Sequence, residues 1–108
     1  MTLVTACGIA VADVIAAGLK GIAKPGEVLF TSTKLSVGGH PCNVSIDLVQ
    51  MGFPAKEIST VVSVGEDSFG DFIEDSLKKS GVKTYIYRAD APTSKNLILV
   101  VEGQDRRF

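Results

Sequence analysis

Gly38-Gly39-His40-Pro41-Cys42-Asn43-Val44-Ser45 ends one pattern and begins another. Two adjacent glycines let the backbone turn sharply and approach a ligand closely. Pro41 suits the first turn of a helix, where its missing N–H is not needed. Beyond it Val44, Leu48 and Met51 recur at helical spacing, which predicts one apolar face. Gly52 closes that helix and Pro54 prevents its continuation. The helix start leaves N–H groups without intrahelical partners. Asn43, in the first turn, leans back toward them, and its amide both donates and accepts. These parts suit a ligand rich in hydroxyls; taken alone, Gly-Gly before a helix also reads as a tight turn.

Downstream of this stretch the chain alternates. Ser59 to Val64 predicts a strand, Gly65 to Asp67 a turn, and Phe69, Phe72, Ile73, Ser76 and Leu77 a helical stripe. Ser68 and Asp71 resemble a capping box at its start. Lys78 and Lys79 fall in the last turn, where cations favour the helix dipole and water solvates them, and Gly81 is the C-cap. Val82 to Tyr87 and Asn96 to Val101 predict two further strands, and Glu102 to Asp105 a turn. Upstream, Thr2 to Ile9 predicts a buried strand. Val11 to Lys24 is rich enough in alanine for a helix yet carries Gly18 and Gly21. Glu27 to Phe30 and Lys34 to Val37 predict two short strands after the Pro25-Gly26 turn. Strand, helix, strand, helix, strand is the pattern of an open α/β sheet. The early short strands and Asn96–Val101 stand outside that alternation and suggest a separate small sheet. Phe108 follows a turn before any returning strand, which reads as a fragment.

The chain has 108 residues, 45% hydrophobic and 21% charged, with a formal charge of −1. This is a globular composition, and it lacks the basic excess of a nucleic-acid surface. The apolar run from Met1 to Leu19 has no Lys or Arg before Lys20 and carries Asp13. Although Ala10-Val11-Ala12 resembles a cleavage site, the run reads as a strand and a loop, not a signal or membrane span. The expectation is a soluble, cytoplasmic protein. Cys7 and Cys42 fit no zinc or C-x-x-C spacing and read as two buried thiols in a reducing compartment. No metal site is expected.

Four segments, in order, carry a family resemblance. The Gly38-to-Gly52 stretch is similar to the first signature of the ribokinase (PfkB-type) carbohydrate kinase family. Val64-Gly65-Glu66-Asp67-Ser68-Phe69-Gly70, with Ser80-Gly81-Val82 after the helix, resembles the family's V-G-x-D-x-x-G…G-V segment. Gly8-Ile9-Ala10-Val11-Ala12-Asp13 is similar to its opening strand, whose loop presents a substrate-binding Asp. Thr93, the apolar strand and Glu102-Gly103-Gln104-Asp105-Arg106 resemble its lid strand, with the ending stretched by one residue.

The resemblance implies a ribokinase-like α/β fold, an open sheet with flanking helices and a small β lid, incomplete in this chain. Residues 1–108 would be the N-terminal part, with lid strands at about 27–38 and 93–108 and the ATP-binding part absent. Asp13 would accept hydrogen bonds from two sugar hydroxyls; read without the resemblance it is a solvated loop residue or helix cap. Gly38 and Gly39 would bring N–H groups to the sugar, Asn43 would fix another hydroxyl, and Asn96 and Ile98 would close over it. Asn96 also reads as a strand-edge residue. Asp67 shapes its turn. His40 contacts sugar or packs its loop, and Arg106 solvates the lid's turn or reaches substrate.

No catalytic residue is expected in this segment. It contains neither G-x-x-x-x-G-K-S/T nor the family's Gly-Ala-Gly-Asp, so ATP and Mg²⁺ would be held elsewhere in the parent, and these residues alone would be inactive. The implied activity is phosphorylation of a sugar hydroxyl, with a homodimer formed through the lid sheet. Two other readings stay open: a stand-alone domain that binds a sugar or partner without chemistry, and a nucleoside kinase of the same superfamily.

Overall fold

The computed structural model describes residues 2–108. Two three-stranded sheets share the chain. The first has β1 (Val4–Ile9), β4 (Ile58–Gly65) and β5 (Lys83–Ala89) in the order β1-β4-β5, all parallel. The second has β2 (Val11–Leu19), β3 (Thr33–Gly38) and β6 (Lys95–Val101) in the order β3-β2-β6, antiparallel on one side and parallel on the other. Between the sheets lies a single residue, Ala10, which is buried.

Two helices make the crossovers of the first sheet: α1 (His40–Gln50) before β4, and α2 (Ser68–Ser80) between β4 and β5. The winding runs one way, so both helices pack on the same face and against each other. Between them and the sheet lies a core that includes Cys42, Val62, Val64, Ile73 and Leu77. Ala12 of β2 and Val37 of β3 reach the same core. The opposite face, with Cys7, Ile9, Tyr85 and Tyr87, is exposed. Cys7 is therefore not the buried thiol that the composition predicts: alternation along β1 turns it away from the helices. Cys42 is buried, and loss of water pushes its pKa up to about 11.

Local chemistry explains α2 well. Gly70 N–H donates to the Asp67 carboxylate at 2.8 Å, so the N-cap is Asp67 and not Ser68. Ile73 and Leu77 are fully buried, Phe69 and Phe72 partly, and Gly81 caps the C-terminus. Helix α1 departs from its predicted face. Leu48 packs against the core as predicted, but the buried residues are Pro41, Cys42 and Ser45, and Val44 and Met51 are 45% and 74% exposed. The inward stripe is rotated toward Cys42, Ser45 and Val49 and has a serine at its centre. That serine is tolerated because Thr60 Oγ1 donates to Ser45 Oγ at 2.6 Å.

Val11–Leu19 is a strand despite its alanines. It is the middle strand of the second sheet, and pairing on both edges outweighs its local preference. Glu27–Phe30 forms no strand. The β2–β3 ladder ends at Ala16–Thr33, beside an irregularity between Ala16 and Leu19, and residues 28–30 are exposed with no partner strand. At the other end the chain has already turned back: Leu99 and Arg107 exchange backbone hydrogen bonds of 2.8 and 2.9 Å. A second small core, with Ala16, Leu19, Leu99 and Val101, holds this end of the sheet.

Candidate functional site

The candidate site lies where β1 ends, α1 begins and the second sheet starts. Its centre is one rung of that sheet. Asp13 on β2 is paired with Ser36 on β3 and with Asn96 on β6. Paired residues share a face, and the neighbouring rung of Val37, Ala12 and Lys95 is turned to the helices: Ala12 and Val37 pack in the core, and the Lys95 ammonium sits 5.2 Å from the Phe69 ring centre. The Ser36–Asp13–Asn96 rung consequently faces away from α1 and α2. Asn96 Nδ2 donates to Asp13 Oδ1 at 3.1 Å.

Glycine makes room for the carboxylate. A Cβ on Gly38 would stand 2.5 Å from Asp13 Oδ2, so any side chain there would displace it. Gly39, with φ of 95°, is the N-cap of α1, and a Cβ on it would collide with the Ile9 carbonyl. Only glycine meets both demands at position 39. No side chain caps α1. Asn43 N–H donates to Gly39 O at 3.0 Å.

The structure thus brings Asp13, Gly38 and Asn96 into contact, with Gly39 beside them. Asn43 is one turn into α1 and exposed, and its side chain makes no hydrogen bond to the Asp13–Asn96 pair. Ile98 shares the face of Asn96 but is only 4% exposed, so a ligand would reach it only after its neighbours shift. His40 is exposed. The Arg106 guanidinium lies 5.6 Å from the centre of the Phe108 ring. Ser36 is the residue that sequence reasoning passed over. Only the β2–β3 register reveals it, and no motif carries that register.

The rung offers a carboxylate flanked by a hydroxyl and an amide, each of the latter two able to donate and accept. This suits vicinal hydroxyls. It does not suit phosphate: a helix N-terminus alone attracts anions, but here the Asp13 carboxylate stands beside it. Among the described residues no group of three or more His, Cys, Asp or Glu side chains is placed to hold a metal ion, and no helix is long and apolar enough to cross a membrane.

A family model described as pfkB family carbohydrate kinase matches residues 1–108. The chain belongs to the pfkB carbohydrate kinase family. Comparison with curated proteins finds no match. Among solved structures, the pfkB-family chain is similar to ribokinase from Giardia lamblia, with a TM-score of 0.88 and 24% identity over 99% of this chain and 34% of that one. It also resembles fructokinase from Xylella fastidiosa, with a TM-score of 0.73 and 27% identity over 96% and 31% of the two chains. A third, Arabidopsis thaliana ribokinase complexed with ribose and ATP, has a TM-score of 0.75 and 20% identity over 96% and 34%. The fold is that of a ribokinase-like α/β protein. This pfkB-family chain spans about a third of the length of these structures.

Proposed function

We propose that residues 1–108 are the N-terminal, sugar-binding part of an ATP-dependent carbohydrate kinase that phosphorylates a sugar hydroxyl. The observation that carries this reading is the Asp13 carboxylate, seated against Gly38 and bonded to Asn96, in a chain of the pfkB family. Asp13 accepts from two hydroxyls of the sugar and orients them. Gly38 at the end of β3, and Gly39 and Asn43 at the start of α1, bring donors. Asn96, and Ile98 once uncovered, form the roof, and the second sheet acts as a lid that excludes water from the sugar.

The sequence carries neither G-x-x-x-x-G-K-S/T nor Gly-Ala-Gly-Asp, and on this reading ATP and Mg²⁺ are assigned to the remainder of a longer parent and this part alone is taken as inactive. ATP, when bound, supplies the phosphoryl group. The complexes of neighbouring structures support that choice: one holds ribose and ATP, another ADP. The protein is read as cytoplasmic and as a homodimer formed through the second sheet.

The test is Asp13→Ala in the longest natural chain that carries this sequence. The expected result is a sugar KM raised about tenfold or more, as for loss of hydrogen bonds to a charged group, with the KM for ATP little changed. Unchanged sugar kinetics remove Asp13 from the site. A panel of sugars and nucleosides as acceptors separates the sugar kinase from a nucleoside kinase.

A further inference from the structure

The turn after β4 does more than start a helix. An N-cap needs one carboxylate oxygen; Asp67 uses both. Its Oδ1 accepts from Gly70 N–H at 2.8 Å and from the Thr93 hydroxyl at 2.6 Å, and its Oδ2 accepts from Thr93 N–H at 2.9 Å. The Thr93 oxygen in turn accepts from Gly65 N–H at 2.8 Å. Arg88 closes the ring from β5, donating to Gly65 O at 2.8 Å and to Asp71 and Glu74 on α2 at 2.9 and 3.1 Å. The joint has no spare space. A Cβ on Gly65 would stand 2.7 Å from Thr93 N, and one on Gly70 2.7 Å from Arg88 Nη1 and 3.0 Å from Thr93 Oγ1.

Thr93 is 2% exposed and lies just before the second sheet resumes. The next residue, Ser94, accepts from Ala12 N–H at 2.9 Å, which opens the β2–β6 ladder. Two residues on, Asn96 is opposite Asp13. Lys95 Nζ donates back to Thr93 O at 2.9 Å. A slip of one residue would set Lys95 or Leu97 opposite Asp13 and turn Asn96 to the other face. We propose that Asp67 is a positioning residue: by clamping Thr93 to the end of β4 and the start of α2, it sets the register in which β6 enters the second sheet, and so holds Asn96 beside Asp13. The kinetic consequence rests on the sugar-binding reading of Asp13; the register consequence does not.

The experiment compares Asp67→Asn, Thr93→Val, Thr93→Ser and a core control, Ile73→Val, in the longest natural chain carrying this sequence. Amide hydrogen exchange without ligand is read over residues 95–99 and over 59–64, together with sugar and ATP KM. Asp67→Asn puts an NH₂ where an N–H or hydroxyl must donate. It and Thr93→Val are each expected to speed exchange about tenfold or more over 95–99, leave 59–64 as in wild type, and raise sugar KM about tenfold with ATP KM within about twofold. Thr93→Ser, which keeps the hydroxyl, is expected to behave as wild type, and the Asp67→Asn/Thr93→Val pair to be no worse than either alone. Ile73→Val is expected to lower stability without moving sugar KM. The proposal is overturned if exchange over 95–99 does not change, if it rises equally over 59–64, or if the control shifts sugar KM as much as Asp67→Asn does. Faster exchange confined to 95–99 in a protein that phosphorylates no sugar supports the clamp and overturns the substrate reading.

Discussion

Asp67 is held ionised by its donors: the Thr93 hydroxyl first, then the Thr93 and Gly70 N–H groups, which bring its pKa from an ordinary 3.8 down to about 2. A carboxyl with a lowered folded-state pKa adds stability that is fully present above its unfolded value. That stability is lost as pH falls from about 4 to about 2. The melting temperature of wild type is therefore expected to fall more steeply across that window than that of Asp67→Asn, as thermal unfolding followed by circular dichroism at pH 2–6 would record. Parallel curves would deny the carboxylate this role. At Gly38 a methyl group is expected to push the Asp13 carboxylate aside, so Gly38→Ala should raise sugar KM about tenfold or more, a change that steady-state kinetics would detect. Asp13, Gly38 and Gly39 were legible as candidates through the family resemblance, because they belong to short motifs whose order along the chain can be seen. Ser36 was not, since it joins the site only through its pairing across β2 and β3. Asn96 comes from the same resemblance, without a short motif of its own; nothing in its immediate neighbours marks it.

Among the elements, α2 is the one that local chemistry specifies most completely, with an apolar stripe of period 3.6, a carboxylate at the cap, lysines at the end and a closing glycine. Helix α1 was equally legible as a helix but not in its rotation, because apolar periodicity takes no account of a serine that finds a buried partner. The Ser45–Thr60 bond offers a direct measure of that placement. Thr60→Val leaves the Ser45 hydroxyl without its donor and is expected to cost about 1–3 kcal/mol. Adding Ser45→Ala should cost much less than the sum of the two single changes, as urea denaturation of the four proteins would show. β2 was the least legible element. Its alanines favour a helix, and its strand state comes from β3 and β6, which lie far along the chain. Residues 27–30 fail in the opposite sense: their composition suits a strand, but the ladder stops before reaching them.

As a whole the molecule is thin, with principal extents of 55 × 34 × 18 Å, because a single layer of helices covers a single face of the first sheet. The other face carries Ile9 on β1 and Tyr85 and Tyr87 on β5, at 64%, 56% and 71% exposure, beside the two unpaired edges of that sheet. Apolar surface next to an open strand edge promotes association. The 108-residue chain alone is expected to sediment as a concentration-dependent mixture, and replacing Tyr85 and Tyr87 by lysine should shift it toward the monomer; a monomer at all concentrations would refute this. The same two rings have an optical use. The chain has no tryptophan, and these are its only tyrosines, so its near-ultraviolet emission originates from the uncovered side of the sheet. Anything that settles there would shield those fluorophores from iodide, giving a built-in gauge of contact that needs no added dye.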